Sequence, residues 1–293
     1  MGTDAGPTAE HPVKATPKRR WLQYSLRTLL ALILVFSCGL GWFAREVQRA
    51  RAQRKAAAAI EKSGGRVQWG PPSGGMIRTA VSGVGKLFGE DLSGDVTGVW
   101  FGGPQVTDAG LEHLQGLTQL RELHLGSTPV TDAGLEHLKR LTQLRELDLS
   151  RTAVTDAGLE HLRGMTQLTG LDLGRTQVTA AGLEHLRGMT QLTGLDLSRT
   201  PVTDAGLERL GGLTQLQALD LSNTQVTDAA LVHLWGLTQL RVLGLSSTQV
   251  TDAGLEHLRG LTQLTVLILS NTQVTAAGVN ELTNALPNVS IAH

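Results

Sequence analysis

From Val106 onward the dipeptide Val-Thr returns every 24 residues, at Val106, Val130, Val154, Val178, Val202, Val226, Val250 and Val274. One unit, "LRELHLGSTPVTDAGLEHLKRLTQ" (Leu120 to Gln143), contains two hydrophobic periods. Leu123 and Leu125 alternate with Glu122 and His124, the period of two expected of a strand with one buried face. After Thr131, Leu135 and Leu138 lie on one face of a helix, and Leu141 follows at the turn back. Leu120 and Val130 fill the corners. No single unit can close a core around these aliphatic side chains, so neighbouring units must cover its open sides. A fixed period of this length predicts a solenoid of eight units plus a terminal strand over residues 96–293. The fold class is α/β, with a parallel sheet on the concave face and short helices on the convex face. Strands stacked about 4.8 Å apart would give a sheet roughly 34 Å long. The pattern opens at "VTGVWF" (Val96 to Phe101) and closes after "LPNVSI" (Leu286 to Ile291).

The N-terminal third follows a different pattern. Residues 1–20 are polar and end in Lys18-Arg19-Arg20, a composition expected of a basic flexible tail. "TLLALILVFSCGLGWFA" (Thr28 to Ala44) then runs for seventeen residues without a charge. As a helix it spans roughly 26 Å, and Trp21, Leu22 and Leu26 extend its apolar surface towards the roughly 30 Å of a hydrocarbon core. Residues 21–44 are therefore expected to form one transmembrane helix that precedes the solenoid, with Tyr24 and Trp42 at the interfaces. A cleaved signal peptide fits poorly, because Trp42-Phe43-Ala44 places bulk where a small residue is wanted. The lipobox-like Val35-Phe36-Ser37-Cys38 is spoiled by Phe36 and by the apolar run beyond it. A buried core helix does not suit so many flanking arginines. Basic residues balance on the two flanks, so the positive-inside rule ties; the expected topology is single-pass with an exported C-terminal domain. Residues 45–65 are rich in helix formers and end in Gly64-Gly65, a charged juxtamembrane helix that reads as a solvated spacer. Residues 66–95 hold a short strand candidate at Arg66–Trp69, the breaker "GPPSGG", and an N-terminal cap for the repeats.

Composition narrows the function. The chain has 26 basic and 26 acidic residues, so no global field draws it to nucleic acid. Its lone cysteine, Cys38, rules out an internal disulfide or a cysteine-built metal centre. Aromatic residues are scarce at 3%, leaving few anchors for a tight partner. "GVGKLFG" (Gly83 to Gly89) imitates a phosphate loop, but Leu87 stands where Ser or Thr should follow the lysine and Ala80 replaces the first glycine. Neither H-E-x-x-H nor G-x-S-x-G occurs. His113, His137, His161, His185, His233 and His257 recur on the outer face, where a ladder offers parallel ligands rather than converging ones. These observations point to a non-enzymatic protein with no cofactor, no metal site and no evident small-molecule substrate.

Comparing units assigns the recurrent polar residues. Thr follows Val in all eight, whereas the next Asp becomes Ala180 and Ala276, so Thr is read as the helix cap and Asp as an optional aid from the helix dipole. Glycine in "AGL" becomes Ala230 once, a requirement for smallness. Gly116, Gly164, Gly188, Gly212, Gly236 and Gly260 are read as C-terminal caps.

The units resemble the leucine-rich repeat family, whose pattern is L-x-x-L-x-L-x-x-N-x-L. Thr128, Thr152, Thr176, Thr200, Thr224, Thr248 and Thr272 occupy the asparagine position. With the V-T-D-A-G-L helix start, they resemble the cysteine-containing subclass of F-box proteins, with Thr for Cys. That subclass implies, remotely, substrate recognition for a ubiquitin ligase, though no F-box-like helical segment is seen before the repeats. Tail, span, spacer and repeats together resemble membrane-anchored bacterial repeat proteins.

Solenoids bind along their concave sheets, which directs attention to the strand positions pointing that way. These are Trp100, His124, Asp148, Asp172, Asp196, Asp220, Gly244 and Ile268. Arg151, Arg175 and Arg199 stand three residues beyond the first three aspartates and could neutralise them. Two readings remain open: a self-neutralised solvated face, as in a cell-envelope spacer without a specific ligand, or a polar groove for a protein segment, built on Trp100, His124, the four aspartates and the three arginines.

Overall fold

The computed structural model describes residues 26–71 and 94–293, with the backbone alone described for 26–40. The expected tail and the Gly83–Gly89 segment lie outside the described residues. Within them, residues 26–45 are wholly helical and residues 46–293 form a separate compact unit.

Ten strands make one sheet in strict chain order, β1 to β10. β1 (Arg66–Gly70) pairs antiparallel with β2 (Asp95–Trp100), with a bulge at Gln68/Trp69. From β2 onward the pairing is parallel through β3 (Glu122–His124), β4 (Glu146–Asp148), β5 (Gly170–Asp172), β6 (Gly194–Asp196), β7 (Ala218–Asp220), β8 (Val242–Gly244), β9 (Val266–Ile268) and β10 (Ser290–Ala292). The register never slips, because each unit has the same length and a one-residue slip would turn its leucines out of the core. Leu123, Leu147, Leu171, Leu195, Leu219, Leu243 and Leu267 stack as a buried column, one part of a single apolar cluster extending from Ala57 to Val289.

Each return stroke is a short helical turn, typically one α turn tightened into 3-10, as in Asp132–Leu135 followed by Glu136–Leu138. These turns end by further i→i+3 bonds: Leu117 N–H donates to Leu114 O and Leu141 N–H to Leu138 O. The glycines expected as left-handed caps are not used that way. Among the described glycines only Gly64 and Gly103 have positive φ, and Arg140 fills the place of Gly116 in one unit. A tight 3-10 ending satisfies the last carbonyls without a left-handed residue.

The seven threonines at the asparagine position turn inward at the strand ends. Thr128 Oγ1 donates to Leu125 O at 2.6 Å, and Thr152, Thr176, Thr200, Thr224, Thr248 and Thr272 repeat the bond. The corner carbonyl is thus satisfied away from water.

α1 (Leu26–Lys62) is continuous through Ala44/Arg45, where the expected span meets the expected spacer. Among the described residues no helix is long and apolar enough to cross a membrane, and the side chains of residues 26–40, most of the expected span, lie outside them. The segment expected to be a solvated spacer instead covers the first repeat. Ile60 is 1% exposed and joins the same cluster as Val96, Val99 and Phe101. Gln53 Nε2 donates to Asp95 Oδ1 at 3.0 Å, and Arg49 lies 3.5 Å from the same carboxylate, which is fully buried. Gly64, at φ 86°, stops the helix, and a Cβ on Gly65 would strike Ile60 and Phe101, so the chain turns tightly into β1.

Candidate functional site: the concave sheet

The parallel register brings the second outward position of each strand into one column: Trp100, His124, Asp148, Asp172, Asp196, Asp220, Gly244, Ile268. All nine residues selected from sequence lie on this face or at its edge. Trp100 stacks on His124 with ring centroids 5.5 Å apart, and His124 Nδ1 lies 3.7 Å from Asp148 Oδ2. Each aspartate accepts from the backbone two residues ahead: Ser150 N–H to Asp148 at 2.9 Å, Gly174 to Asp172 at 2.8 Å, Ser198 to Asp196 at 2.7 Å, Ser222 to Asp220 at 2.8 Å. These bonds fix one carboxylate oxygen and hold the side chain upright on the sheet.

Asp172, half-buried in the middle of the column, is pushed up to about 6. Burial is the main cause, the Gly174 bond opposes it, and repulsion from Asp196, Asp148 and Asp220 adds to it.

Arg151, Arg175 and Arg199 do not neutralise the aspartates. No ion pair among the described residues joins the two columns; instead the guanidiniums of Arg199 and Arg151 hold Arg175 below its ordinary value. The backbone explains this. All three arginines have left-handed φ, 55°, 61° and 58°, where the strand turns out of the sheet, so they form an exposed column of their own at its edge. The expectation of a self-neutralised ladder is corrected on this point.

Alternation also brings residues two positions earlier onto the face. Glu146, Gly170, Gly194, Ala218 and Val242 share with the aspartates a groove of about 410 Å³. Glu146 takes a bond from Thr169 Oγ1 at 2.8 Å, and its carboxylate lies where a Cβ on Gly170 would sit. Above Gly194 there is open space, so the floor is bare backbone. The period-two rule applied one step further along each strand identifies these residues from sequence.

Two of the outer-face histidines are tied to the neighbouring unit along the helical layer, away from this groove. His137 Nδ1 is 2.6 Å from Gln115 Nε2, and His185 Nδ1 accepts from Arg163 Nε at 2.8 Å. Among the described residues no three His, Cys, Asp or Glu side chains are placed to hold a metal.

With this geometry in place, residues 116–139 and 140–162 match the family model described as Leucine Rich repeat. Those two segments carry the leucine-rich repeat pattern. No curated protein sequence matches the chain. Among solved structures, it is similar to internalin C2 from Listeria monocytogenes, with 28% identity over 76% of this chain and 86% of that one, TM-score 0.47. It is also similar to an internalin (inlF) of that organism, with 23% identity over 62% of this chain and 69% of that one, TM-score 0.35.

Proposed function

We propose that the protein is a membrane-tethered, non-enzymatic scaffold whose leucine-rich repeats bind a protein segment along the concave sheet. One observation carries the reading: two like-charged columns, Asp148 to Asp220 and Arg151 to Arg199, lie side by side without pairing. Like charges stacked at strand spacing repel and lower stability, and the left-handed backbone at the arginines favours Asn or Gly. Residues that break local rules without a local gain are the ones expected at a binding surface. A partner segment of mixed charge would supply counter-charges to both columns, while Gly194 and its neighbours let its backbone come close.

The test uses the full chain, cross-linked in its host and recovered in parallel with two variants. One carries Asp148→Asn, Asp172→Asn, Asp196→Asn and Asp220→Asn; the other carries Arg151→Asn, Arg175→Asn and Arg199→Asn. Partners lost in both variants support the groove. An unchanged set, or none at all, would favour a spacer of the cell envelope, the reading encouraged by the sameness of the units. The tether rests on the uncharged run from Thr28 to Ala44, and the exported orientation is checked by reporter fusions after residue 65. Activity of a cytoplasm-only reporter there reverses the orientation.

A further inference from the structure

The junctions between successive units serve as controls for one another. Two links tie each helical layer to the next. In the first, the N–H just before the Val-Thr pair donates to the valine carbonyl of the preceding unit: Ala153 to Val130, Gln177 to Val154, Gln225 to Val202, Gln249 to Val226, Gln273 to Val250. In the second, the aspartate that opens one helical turn accepts from both the N–H and the hydroxyl of the threonine that opens the next. Asp132 thus holds Thr155 at 2.8 and 2.6 Å, and Asp228 holds Thr251 at 2.8 and 2.7 Å. The junction at Val106/Val130 lacks only the first link, because Pro129 has no N–H; Asp108 still holds Thr131.

The junction at Val178/Val202 lacks both. Pro201 has no N–H to donate, and Ala180 has no carboxylate for Thr203, whose hydroxyl also fails to cap its own turn. The sheet across the same junction is complete: Gly194 N–H donates to Thr169 O at 3.0 Å, Leu173 to Asp196 at 2.9 Å, Arg175 to Ser198 at 2.8 Å. We infer that the solenoid flexes at this seam, parting on its helical side while β5 and β6 stay paired as the hinge. A single strap crosses the opening. Arg209, standing where six other units carry histidine, donates to Glu184 at 2.9 Å on the outer surface. Both partners are about 40% exposed (39% and 41%), so the strap is weak and is screened by salt. The seam falls between Asp172 and Asp196, so flexure changes the angle between two halves of the aspartate column. The inference stands whether or not that column binds a partner.

Hydrogen exchange on the full chain tests it by comparing protection in residues 199–207 with the matching segments 151–159 and 223–231. Exchange in 199–207 is expected to be faster by on the order of tenfold, since both inter-unit links are missing, and the gap should widen with salt. Ala180→Asp with Pro201→Gln, both residues that other units carry, should bring the three segments level. Arg209→His should speed exchange at the seam and abolish its salt dependence. The reciprocal pair Asp156→Ala with Gln177→Pro should create a second weak seam at residues 175–183. Equal protection in the wild type, or no response to the repairing pair, overturns the hinge.

Discussion

Thr107 and Thr203 are natural deletions of one interaction. Neither has an aspartate in the unit before it, and neither caps its turn with its side chain. In Thr131, Thr155, Thr179, Thr227, Thr251 and Thr275 the hydroxyl gives its hydrogen to the preceding aspartate and accepts from its own turn. The aspartate therefore fixes the rotamer that lets threonine cap. Asp132→Ala should cost about 1–2 kcal/mol in urea unfolding and expose the Thr155 amide to exchange. The two titrating aspartates have opposite signs. Asp172 is raised from 3.8 to about 6, so folding favours its protonated form; the stability this gives at low pH is lost as pH rises through about 6. Asp172→Asn should raise the urea midpoint at pH 7.5 and lose that advantage by pH 3.5. Asp252 is lowered, chiefly by the Thr275 hydroxyl, so its contribution is present above 3.8 and disappears as pH falls through its lower folded value. Sequence comparison identified threonine as the cap but read aspartate as a dipole partner. Its acceptor role spans two units, 23 residues apart, and no local rule reaches that far.

At the scale of strands and turns, the alternation of leucines was legible because every unit repeats the same length. The corner was not. Ser127, Arg151, Arg175, Arg199, Asn223, Ser247 and Asn271 all take left-handed φ, but only the asparagines advertise it in sequence. This turn directs the arginines away from the aspartates that spacing alone seemed to pair with them. Arg175→Asn should therefore raise the thermal midpoint, chiefly by easing the left-handed backbone and also by removing the guanidinium repulsion. Thermal unfolding at low salt measures it, and a loss of stability would show that Arg175 makes a local contact after all. The recurrent glycine of "AGL" has a similar hidden cause. A Cβ on Gly134, Gly158 or Gly254 would crowd the aspartate carboxylate reaching across from the unit before, yet Ala230 carries one while Asp204 still holds Thr227, so the position demands smallness rather than glycine.

In the whole molecule, the solenoid was evident from its period, whereas its N-terminal cover was not. Residues 46–62 are rich in charge and alanine, and only Ala57, Ile60 and a few neighbours reveal the buried face. Ile60→Ala should cost about 2–5 kcal/mol and loosen β2 first, read as exchange at Val99 before Leu219. Fragments beginning at residue 66 would lack this cover and expose Val96, Val99 and Phe101. The Asp–Thr latch has one further consequence, because it has a direction. The carboxylate always belongs to the earlier unit and the threonine to the later one, as where Asp252 holds Thr275. Each finished unit that carries the aspartate thus presents a ready acceptor to the next segment to leave the ribosome, and the Ala180 unit does not. The chain is suited to vectorial growth, folding one unit at a time behind the point of synthesis.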